Sequence, residues 1–399
     1  MEHLLVKNFG PIRDLKIELK SLSVIIGEQS SGKSTVAKLF AMFSWLEKAI
    51  IRGEITEKGI SRKGYIRARC RYHRIDEFFE PDTFIEYSNK YYRFVQRGDK
   101  LDVFRIKNSG EVYSIPQITY FPTERGILSV LHPIKDSALT EPLVDLRYEF
   151  DKAKNYFFSG FKLPWGDIFE YNRQNKISYI RPKDSKRQIR LSSSSSGTQC
   201  ALPLLLVAEY LSKMVYDANF EKSSLRFDDI RNDILKIYKN KSYSDETRNL
   251  IIQSLASKYK NSYLLNIVEE PEQNLFPSAQ KDVFFDLLRV TNFQRGGRLF
   301  ITTHSPYILT LLNCALKRGY LYQKYKDNES LKNKLNDLSD VPAVSGQTVG
   351  AYMLKNGKAI PMLDKTSALV SAELMDEVSD EISRIFDELL DFEISHENG

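Results

Sequence analysis

The stretch “GEQSSGKS”, Gly27 to Ser34, decides the fold because it satisfies the pattern G-x-x-x-x-G-K-[S/T]. A buried-strand pattern, “VIIG”, precedes it, and “VAKLFAMFSWLEKAII”, with apolar residues at helical spacing, follows it. The backbone N–H groups of such a strand-to-helix loop, together with the helix dipole, can hold phosphate. We expect Lys33 to reach the β- and γ-phosphates of a nucleotide and the Ser34 hydroxyl to bind Mg²⁺. The expected nucleotide-binding residues of this loop are Gly27, Glu28, Gln29, Ser30, Ser31, Gly32, Lys33, Ser34 and Thr35.

Two further apolar strands end in residues that suit the same site. “SYLLNIVEEPE” brings Glu269 and Glu270 to the end of one strand, and “GRLFITTHSPYIL” brings His304 to the end of another. Ligands of open parallel sheets bind at the carboxyl ends of the strands. We expect Glu269 to bind Mg²⁺, Glu270 to activate or orient water, and His304 to reach the γ-phosphate. The alternatives are solvated strand-end acids and a structural histidine.

The serine run “LSSSSSGTQC”, Leu191 to Cys200, has the composition of a flexible tether. It leads, however, into an apolar helix, “ALPLLLVAEYLSKMV”, which a tether would not open. A Ser-Gly turn at a helix N-terminus offers a hydroxyl, free N–H groups and a dipole. We therefore expect Ser196, Gly197 and Gln199 to cover the γ-phosphate from the far side when two copies close on ATP.

The four motifs, in this chain order, resemble those of ABC-type ATPases. The signature L-S-G-G-Q of that class matches Ser196 and Gly197, with Thr198 in place of its second glycine. “VKNFGPI”, “YFPTERG” (120–126), “EEPEQNLFP” (269–277) and “TTHSPYIL” are similar to the SMC-related branch, which includes RecF-like and OLD-family ATPases. The resemblance implies ATP and Mg²⁺ as cofactors.

The same resemblance implies roles for single residues. It implies that Lys33 and Ser34 bind ATP and Mg²⁺, that Glu270 is the catalytic residue and that His304 senses the γ-phosphate. It also offers Gln117, just before a strand, as the glutamine that links the nucleotide and its metal to the rest of the protein. Gln29 and Ser30 stand where many relatives carry Asn and Gly.

A nuclease module is not expected. OLD nucleases add a metal-dependent unit that requires an Asp-x-Asp pair, and this sequence contains none. The chain resembles instead the stand-alone ATPase heads of bacterial anti-phage systems such as Septu and PARIS, in which a separate nuclease or toxin is the effector. The resemblance implies a homodimer or higher oligomer closed around ATP and a separate effector protein.

Composition indicates an ordinary globular chain of 399 residues with a net charge of +6. No run of eighteen apolar residues and no signal-peptide layout occurs, so we expect a cytoplasmic protein without a membrane span. Three widely spaced cysteines predict neither a disulfide framework nor a zinc site; they are Cys70, Cys200 and Cys314.

Periodicity predicts one α/β domain over 1–399, with the P-loop head, an N-terminal antiparallel β subdomain and a mixed α/β insert. Strands are expected over 2–8, 12–19 and 22–26, an antiparallel meander over 83–115, and a hairpin before the serine run. The expected subdivisions are a variable insert 36–116, a helical signature lobe 191–262 and a C-terminal acidic helix 366–393.

Three functions remain open from the residues. The first is an ATPase that dimerises head to head and controls an effector. The second is a RecF-like DNA-binding repair or recombination ATPase, suggested by the basic stretch 61–74, with Arg67, Arg69 and Arg71 on one side of an extended or irregular segment. The third is a scaffold that binds ATP without turnover, which has no need of Glu270.

Overall fold

The computed structural model describes residues 2–106, 113–131, 135–217, 261–338, 340–364, 369–371 and 384. Its strands are β1 (Glu2–Phe9), β2 (Ile12–Leu19), β3 (Leu22–Gly27), β4 (Phe79–Ser88), β5 (Tyr92–Arg97), β6 (Lys100–Arg105), β7 (Pro116–Phe121), β8 (Phe161–Lys162), β9 (Ile168–Asn172), β10 (Ile177–Arg181), β11 (Ile189–Arg190), β12 (Tyr263–Glu269), β13 (Arg298–Thr303), β14 (Val349–Lys355) and β15 (Lys358–Pro361). Its helices are α1 (Lys33–Arg52), α2 (Glu57–Ile60), α3 (Tyr65–Tyr72), α4 (Ile127–Val130), α5 (Glu141–Tyr156), α6 (Ser196–Tyr216), α7 (Pro277–Thr291), α8 (Pro306–Lys324) and α9 (Glu329–Leu338).

Eleven of these strands form one sheet, in the order β6-β5-β4-β1-β2-β15-β14-β3-β13-β12-β7. The strands from β14 to β7 are parallel, and β6, β5, β4, β1 and β2 pair antiparallel in succession. Between these two groups lies β15, which is parallel to β2 and antiparallel to β14. A smaller sheet of four strands has the order β11-β10-β9-β8. The predicted α/β fold with an N-terminal antiparallel part is therefore confirmed.

The parallel strands end level with one another, and this places the site. Across neighbouring strands, Ile26 pairs with Thr303, Glu269 with Thr302, and Val268 with Phe121. The chain segments that follow β3, β7, β12 and β13 consequently meet at one edge of the sheet.

Apolar residues on the two faces of the parallel strands form two buried cores. On one face, α1 packs with residues such as Leu265 and Ile267 of β12. On the other, α6, α7 and α8 pack with the alternate residues, among them Leu264 and Val268. Burial on both faces explains why these strands read as continuous apolar runs rather than alternating ones.

Segment 36–116, expected to be a variable insert, contributes to the main sheet and to one of the two cores. It contains most of α1, which lies in the core, and β4 to β6, which continue the main sheet beyond β1. Within the predicted meander, Asn89 turns the chain between β4 and β5, and its Oδ1 accepts hydrogen bonds from the N–H groups of Tyr91 and Tyr92. Its expected last strand falls partly on 107–112, outside the described residues, and 113–115 are not in a strand.

The expected hairpin before the serine run is present as β10 and β11, which pair antiparallel. Within the signature lobe 191–262, α6 is helical as predicted, and 218–260 lie outside the described residues. The predicted C-terminal helix 366–393 falls almost wholly outside them; of its early residues, Val370 is not helical but forms a β-bridge to Leu363. No helix among the described residues is both long and apolar enough to cross a bilayer.

Glu47 on α1 generates a testable pH dependence. Its carboxylate is 3% exposed and accepts a hydrogen bond from Asn89 Nδ2, and burial, reinforced by nearby Glu2, raises its pKa to about 8. A carboxyl whose pKa is raised on folding stabilises the protein below its unfolded-state pKa, and this stabilisation is lost as the pH rises through the folded-state value. The unfolding free energy of the wild type should therefore fall between pH 5 and pH 8.

Glu47→Gln removes this titration. We expect the variant to lose less stability than the wild type between pH 5 and pH 8, by roughly 1 to 3 kcal/mol in urea unfolding. Glu329→Gln, on an 82% exposed side chain of α9, is the matched control and should follow the wild type. Equal pH slopes for Glu47→Gln and the wild type would contradict the assignment.

Candidate functional site

The loop between β3 and α1 has the backbone of a phosphate cradle. The helix begins at Lys33, inside the predicted loop, because Gly32 caps it with a φ of 103°. A Cβ at Gly32 would lie 3.0 Å from Ile12 Cγ1, so both backbone conformation and space favour glycine here. Ser31 Oγ is buried and has no hydrogen-bond partner among the described residues, which fits an oxygen-rich ligand in the loop.

Lys33 lies folded along this loop. Its side chain is 5% exposed, and Nζ donates to the carbonyl oxygens of Gly27 at 2.8 Å and Glu28 at 2.7 Å. Burial lowers the pKa of the ammonium group, against the opposing effect of Glu270 and neighbouring acids. The ammonium can exchange these carbonyl partners for phosphate oxygens, which bind it more strongly.

Ser34 and Glu269, the two residues expected to bind Mg²⁺, are in direct contact. Ser34 Oγ donates to Glu269 Oε2 at 2.8 Å, and the Tyr120 hydroxyl donates to the other carboxylate oxygen. Glu269 is 2% exposed, and burial raises the pKa of its carboxyl. A hydroxyl and a carboxylate held together are the oxygen ligands that Mg²⁺ takes beside substrate phosphates, so the donor set fits this ion.

Glu270 and His304 lie side by side. His304 Nε2 lies 3.5 Å from Glu270 Oε1. Glu270 has a φ of 45°, and its N–H still donates to Thr302 O, so the chain turns sharply at the end of β12. This turn directs Glu270 away from the strand axis that Glu269 follows, and the two carboxylates can take different roles.

Glu272 is a site residue that the sequence reasoning did not assign. Its Oε1 accepts hydrogen bonds from Thr303 Oγ1 and from the N–H of His304, both at 2.7 Å. Burial raises the pKa of this carboxyl. Glu272 therefore holds the β13 end in place beside the β12 end; its only sequence signal was the fourth position of “EEPE”.

The serine turn is built as a helix start. Ser195 caps α6, with its Oγ accepting from Thr198 N, and Ser196 is the exposed first residue of the helix. A Cβ at Gly197 would lie 2.6 Å from Asn274 O, so only glycine permits this approach of α6 to the loop after β12. The tether interpretation of the serine run is wrong.

The amide group of Gln199 makes hydrogen bonds within the serine turn. Its Nε2 lies within hydrogen-bond distance of three carbonyl oxygens of the serine turn, those of Leu191, Ser192 and Ser194. The amide group is used to fold the turn back onto the helix. Gln199 therefore shapes the serine turn, and its predicted contact with a nucleotide stays a prediction.

Gln117 lies at the wrong end of its strand. It pairs with Leu264 near the start of β12, five residues before Glu269, which puts it about 16 Å from the level of the site. Its Oε1 accepts from Asn261 Nδ2 at 2.6 Å. The predicted metal-linked role of Gln117 is wrong, because β7 runs parallel to β12 and only its far end reaches the site.

The end of β7 instead supplies Arg125, which the sequence reasoning missed. Its side chain is fully buried and donates to the backbone carbonyls of Glu269 and Glu270, each at 2.6 Å. The only sequence signal was its place in “YFPTERG”. Its partners are backbone atoms far away in the chain, which no local pattern identifies.

Two arginines of the basic stretch 61–74 are paired with acidic side chains. The stretch forms α3 rather than an extended segment, and Arg67 and Arg71 lie next to Asp99 and Asp76, at 3.8 and 3.2 Å. Arg69 stacks on Trp45 instead. The three arginines therefore do not form one cationic face for a phosphate backbone.

A cavity of about 360 Å³ adjoins the phosphate loop. Its lining combines residues 28–31 of the loop with Arg13 at the start of β2 and Lys355 and Asn356 at the β14–β15 turn. Its position beside the loop and its polar lining fit the ribose and base of a nucleotide whose phosphates the loop holds.

A family model described as AAA ATPase domain matches residues 1–260, about two thirds of the chain. No curated protein sequence matches the chain. The matched residues include the phosphate loop, α3 and α6, whereas Glu269, Glu270 and His304 lie beyond them.

Many solved structures are similar to this chain, and three of them serve as examples. They are the SMC head domain from Thermotoga maritima (11% identity, TM-score 0.35, 90% of this chain and 97% of that one), the recombination mediator protein RecF of the RecFOR pathway (13%, 0.30, 90% and 97%), and a nucleotide-free ATP-binding cassette from an ABC transporter (12%, 0.27, 95% and 96%). Identity and TM-score are both low, so the function is inferred from the site geometry and the family match.

Lys33 and Gln117 lie at opposite ends of the parallel strands, so replacing one should weaken nucleotide binding and replacing the other should not. Lys33→Ala removes a charged hydrogen-bond donor from the phosphate loop and should weaken binding of a fluorescent ATP analogue by roughly 10- to 100-fold. Gln117→Ala should leave the affinity within about twofold, because the side chain lies at the other end of the sheet. A comparable loss in both variants would contradict this placement of the site.

Proposed function

Because the chain belongs to the AAA ATPase domain family, we propose that it binds and hydrolyses ATP with Mg²⁺ at sites completed by a second copy. One observation carries the proposal. The Ser34–Glu269 pair and the Glu270–His304 pair lie at the same sheet edge, beside a phosphate loop with a buried lysine. This set of groups serves phosphoryl transfer and has no evident use in a scaffold without turnover.

The position of each side chain determines its role in binding phosphate, binding the metal ion or orienting water. Lys33 holds the terminal phosphates, while Ser34 and Glu269 hold the metal ion. Bound there, Mg²⁺ neutralises charge on the β- and γ-phosphates. Glu270, which leaves the strand axis and lies within 3.5 Å of the His304 imidazole, orients water for attack on the γ-phosphate. His304 in turn contacts that phosphate and keeps the Glu270 carboxylate directed at the water.

The signature turn supports a composite site. Ser196 is exposed at the start of α6, a helix of 21 residues, and the Ser195 side chain caps only the N–H of Thr198. The hydroxyl of Ser196 and the remaining first-turn N–H groups are thus available to an anion. In the proposed dimer, that anion is the γ-phosphate held by Lys33 of the second copy.

We further propose that ATP-driven closing and opening of the dimer controls a separate effector, a nuclease or toxin, in bacterial anti-phage defence. Support comes from the resemblance to stand-alone heads of Septu- and PARIS-like systems and from the absence of an Asp-x-Asp pair in the sequence. The pairing of Arg67 and Arg71 with acids, and the position of Arg69 over Trp45, make a RecF-like DNA-binding role the weaker candidate. Co-purification of Glu270→Gln with ATP from the native host tests this role. A stoichiometric second protein is expected, and nucleic acid alone would contradict it.

Mixing two inactive variants tests the composite site. Lys33→Ala inactivates the site whose nucleotide is bound by the phosphate loop of the same chain. Ser196→Glu inactivates the site of the other copy, because it places a negative charge next to the γ-phosphate bound there. Random pairing of equal amounts gives half heterodimers, each with one intact site, so the mixture should recover roughly a quarter of the wild-type rate of ATP hydrolysis.

A second mixture is the matched control. Lys33→Ala with Glu270→Gln leaves no intact site in any pairing, because both residues act on the nucleotide of their own chain, and this mixture should stay inactive. Recovery in neither mixture, with each variant folded, would contradict sharing of the site. Recovery in both would contradict the assignment of Lys33 and Glu270 to one chain.

A further inference from the structure

Arg125 joins three parts of the chain through backbone atoms alone. Its guanidinium is fully buried; Nε donates to Cys200 O at 3.0 Å, Nη1 to Pro122 O at 3.1 Å and to Glu269 O at 2.6 Å, and Nη2 to Glu270 O at 2.6 Å. These carbonyls belong to the turn after β7, to the end of β12 and to the first turns of α6.

The burial of the Arg125 guanidinium is energetically unfavourable, so its presence calls for a specific structural explanation. Burying a charge is costly, and none of the hydrogen-bond acceptors of Arg125 is a carboxylate that would neutralise it. An apolar side chain of similar volume could fill the space. Only the rigid planar fork of arginine, however, can hold carbonyls from three directions at a fixed mutual distance.

The turn that carries Arg125 is also attached to α6 by other contacts. Ser129 Oγ donates to Gln199 O at 2.8 Å, and a Cβ added at Gly126 would lie 2.9 Å from Cys200 Sγ. The segment 123–130 therefore lies directly against the first turns of the signature helix. Displacement of α6 must displace this segment, and Arg125 with it.

We propose that Arg125 is a positioning residue that couples the signature helix to the Glu270 carboxylate. The proposal rests on the function proposed above. When the nucleotide of the second copy draws the start of α6 toward it, the carbonyl of Cys200 moves and Arg125 shifts the carbonyl of Glu270. Because the Glu270 backbone turns with a φ of 45° immediately before this carbonyl, a small shift reorients the side chain.

This coupling affects hydrolysis and leaves binding largely intact. Lys33, Ser34 and the loop carbonyls do not contact Arg125 by any hydrogen bond among the described residues. Misplacing Glu270 by about 1 Å is enough to cost roughly 100-fold in rate. The role thus predicts a separation of kcat from KM that a purely structural role does not.

Arg125→Lys keeps the charge and removes the fork. We expect kcat for ATP hydrolysis to fall roughly 10- to 100-fold, while KM and the affinity for a fluorescent ATP analogue stay within about threefold. Arg173→Lys is the matched control: Arg173 also donates to a backbone carbonyl but is exposed on the β9–β10 hairpin, and its variant should match the wild type.

Ser129→Ala keeps the proposal testable if Arg125→Lys fails to fold. It removes one hydrogen bond to the same turn of α6, and we expect kcat to fall about three- to tenfold with KM unchanged. Unchanged kcat in both variants, or parallel losses of kcat, nucleotide affinity and thermal stability, would overturn the proposal. A wild type without ATPase activity would instead refute the function proposed above.

Discussion

The hydrogen bond from the Ser34 hydroxyl to the Glu269 carboxylate joins the two chain segments on which the site depends. It forms because β3 and β12, separated by β13, end level at one edge of the sheet. A change of register by one residue would turn Glu269 to the opposite face and leave a buried carboxylate without its partner. The apolar packing on both faces of these strands is what fixes the register.

Around this bond the site is organised by backbone turns more than by side-chain charge. Gly32, Glu270 and Gly197 each mark a place where the chain turns with positive φ or where another backbone comes very close. Each turn changes the direction of a chain segment just where a functional group is needed. Glu272 and Arg125 then hold the turns by accepting from or donating to main-chain atoms. The acids and the signature helix are thus connected in one hydrogen-bonded unit.

Sequence patterns were sufficient where the signal is local. The phosphate loop, the acids after β12 and His304 after β13 each follow an apolar strand directly, so strand prediction alone places them at one edge. Gln117 was misplaced because strand direction decides which end of β7 reaches the site. The role of Gln199 within the serine turn has no local sequence signal, because its partners are carbonyls that meet only in the folded turn. Arg125 could not be found from local patterns, since its acceptors come from three distant segments.

The central claim is that two copies close on ATP, and it is tested most directly by the mass of Glu270→Gln in solution. Sedimentation should show a dimer or larger closed assembly with ATP and Mg²⁺ and a smaller species without nucleotide, because the variant binds ATP but cannot hydrolyse it. Adding Ser196→Glu to the same protein should prevent the change in mass. A mass that is the same with and without ATP, at concentrations where the nucleotide is bound, would contradict the account.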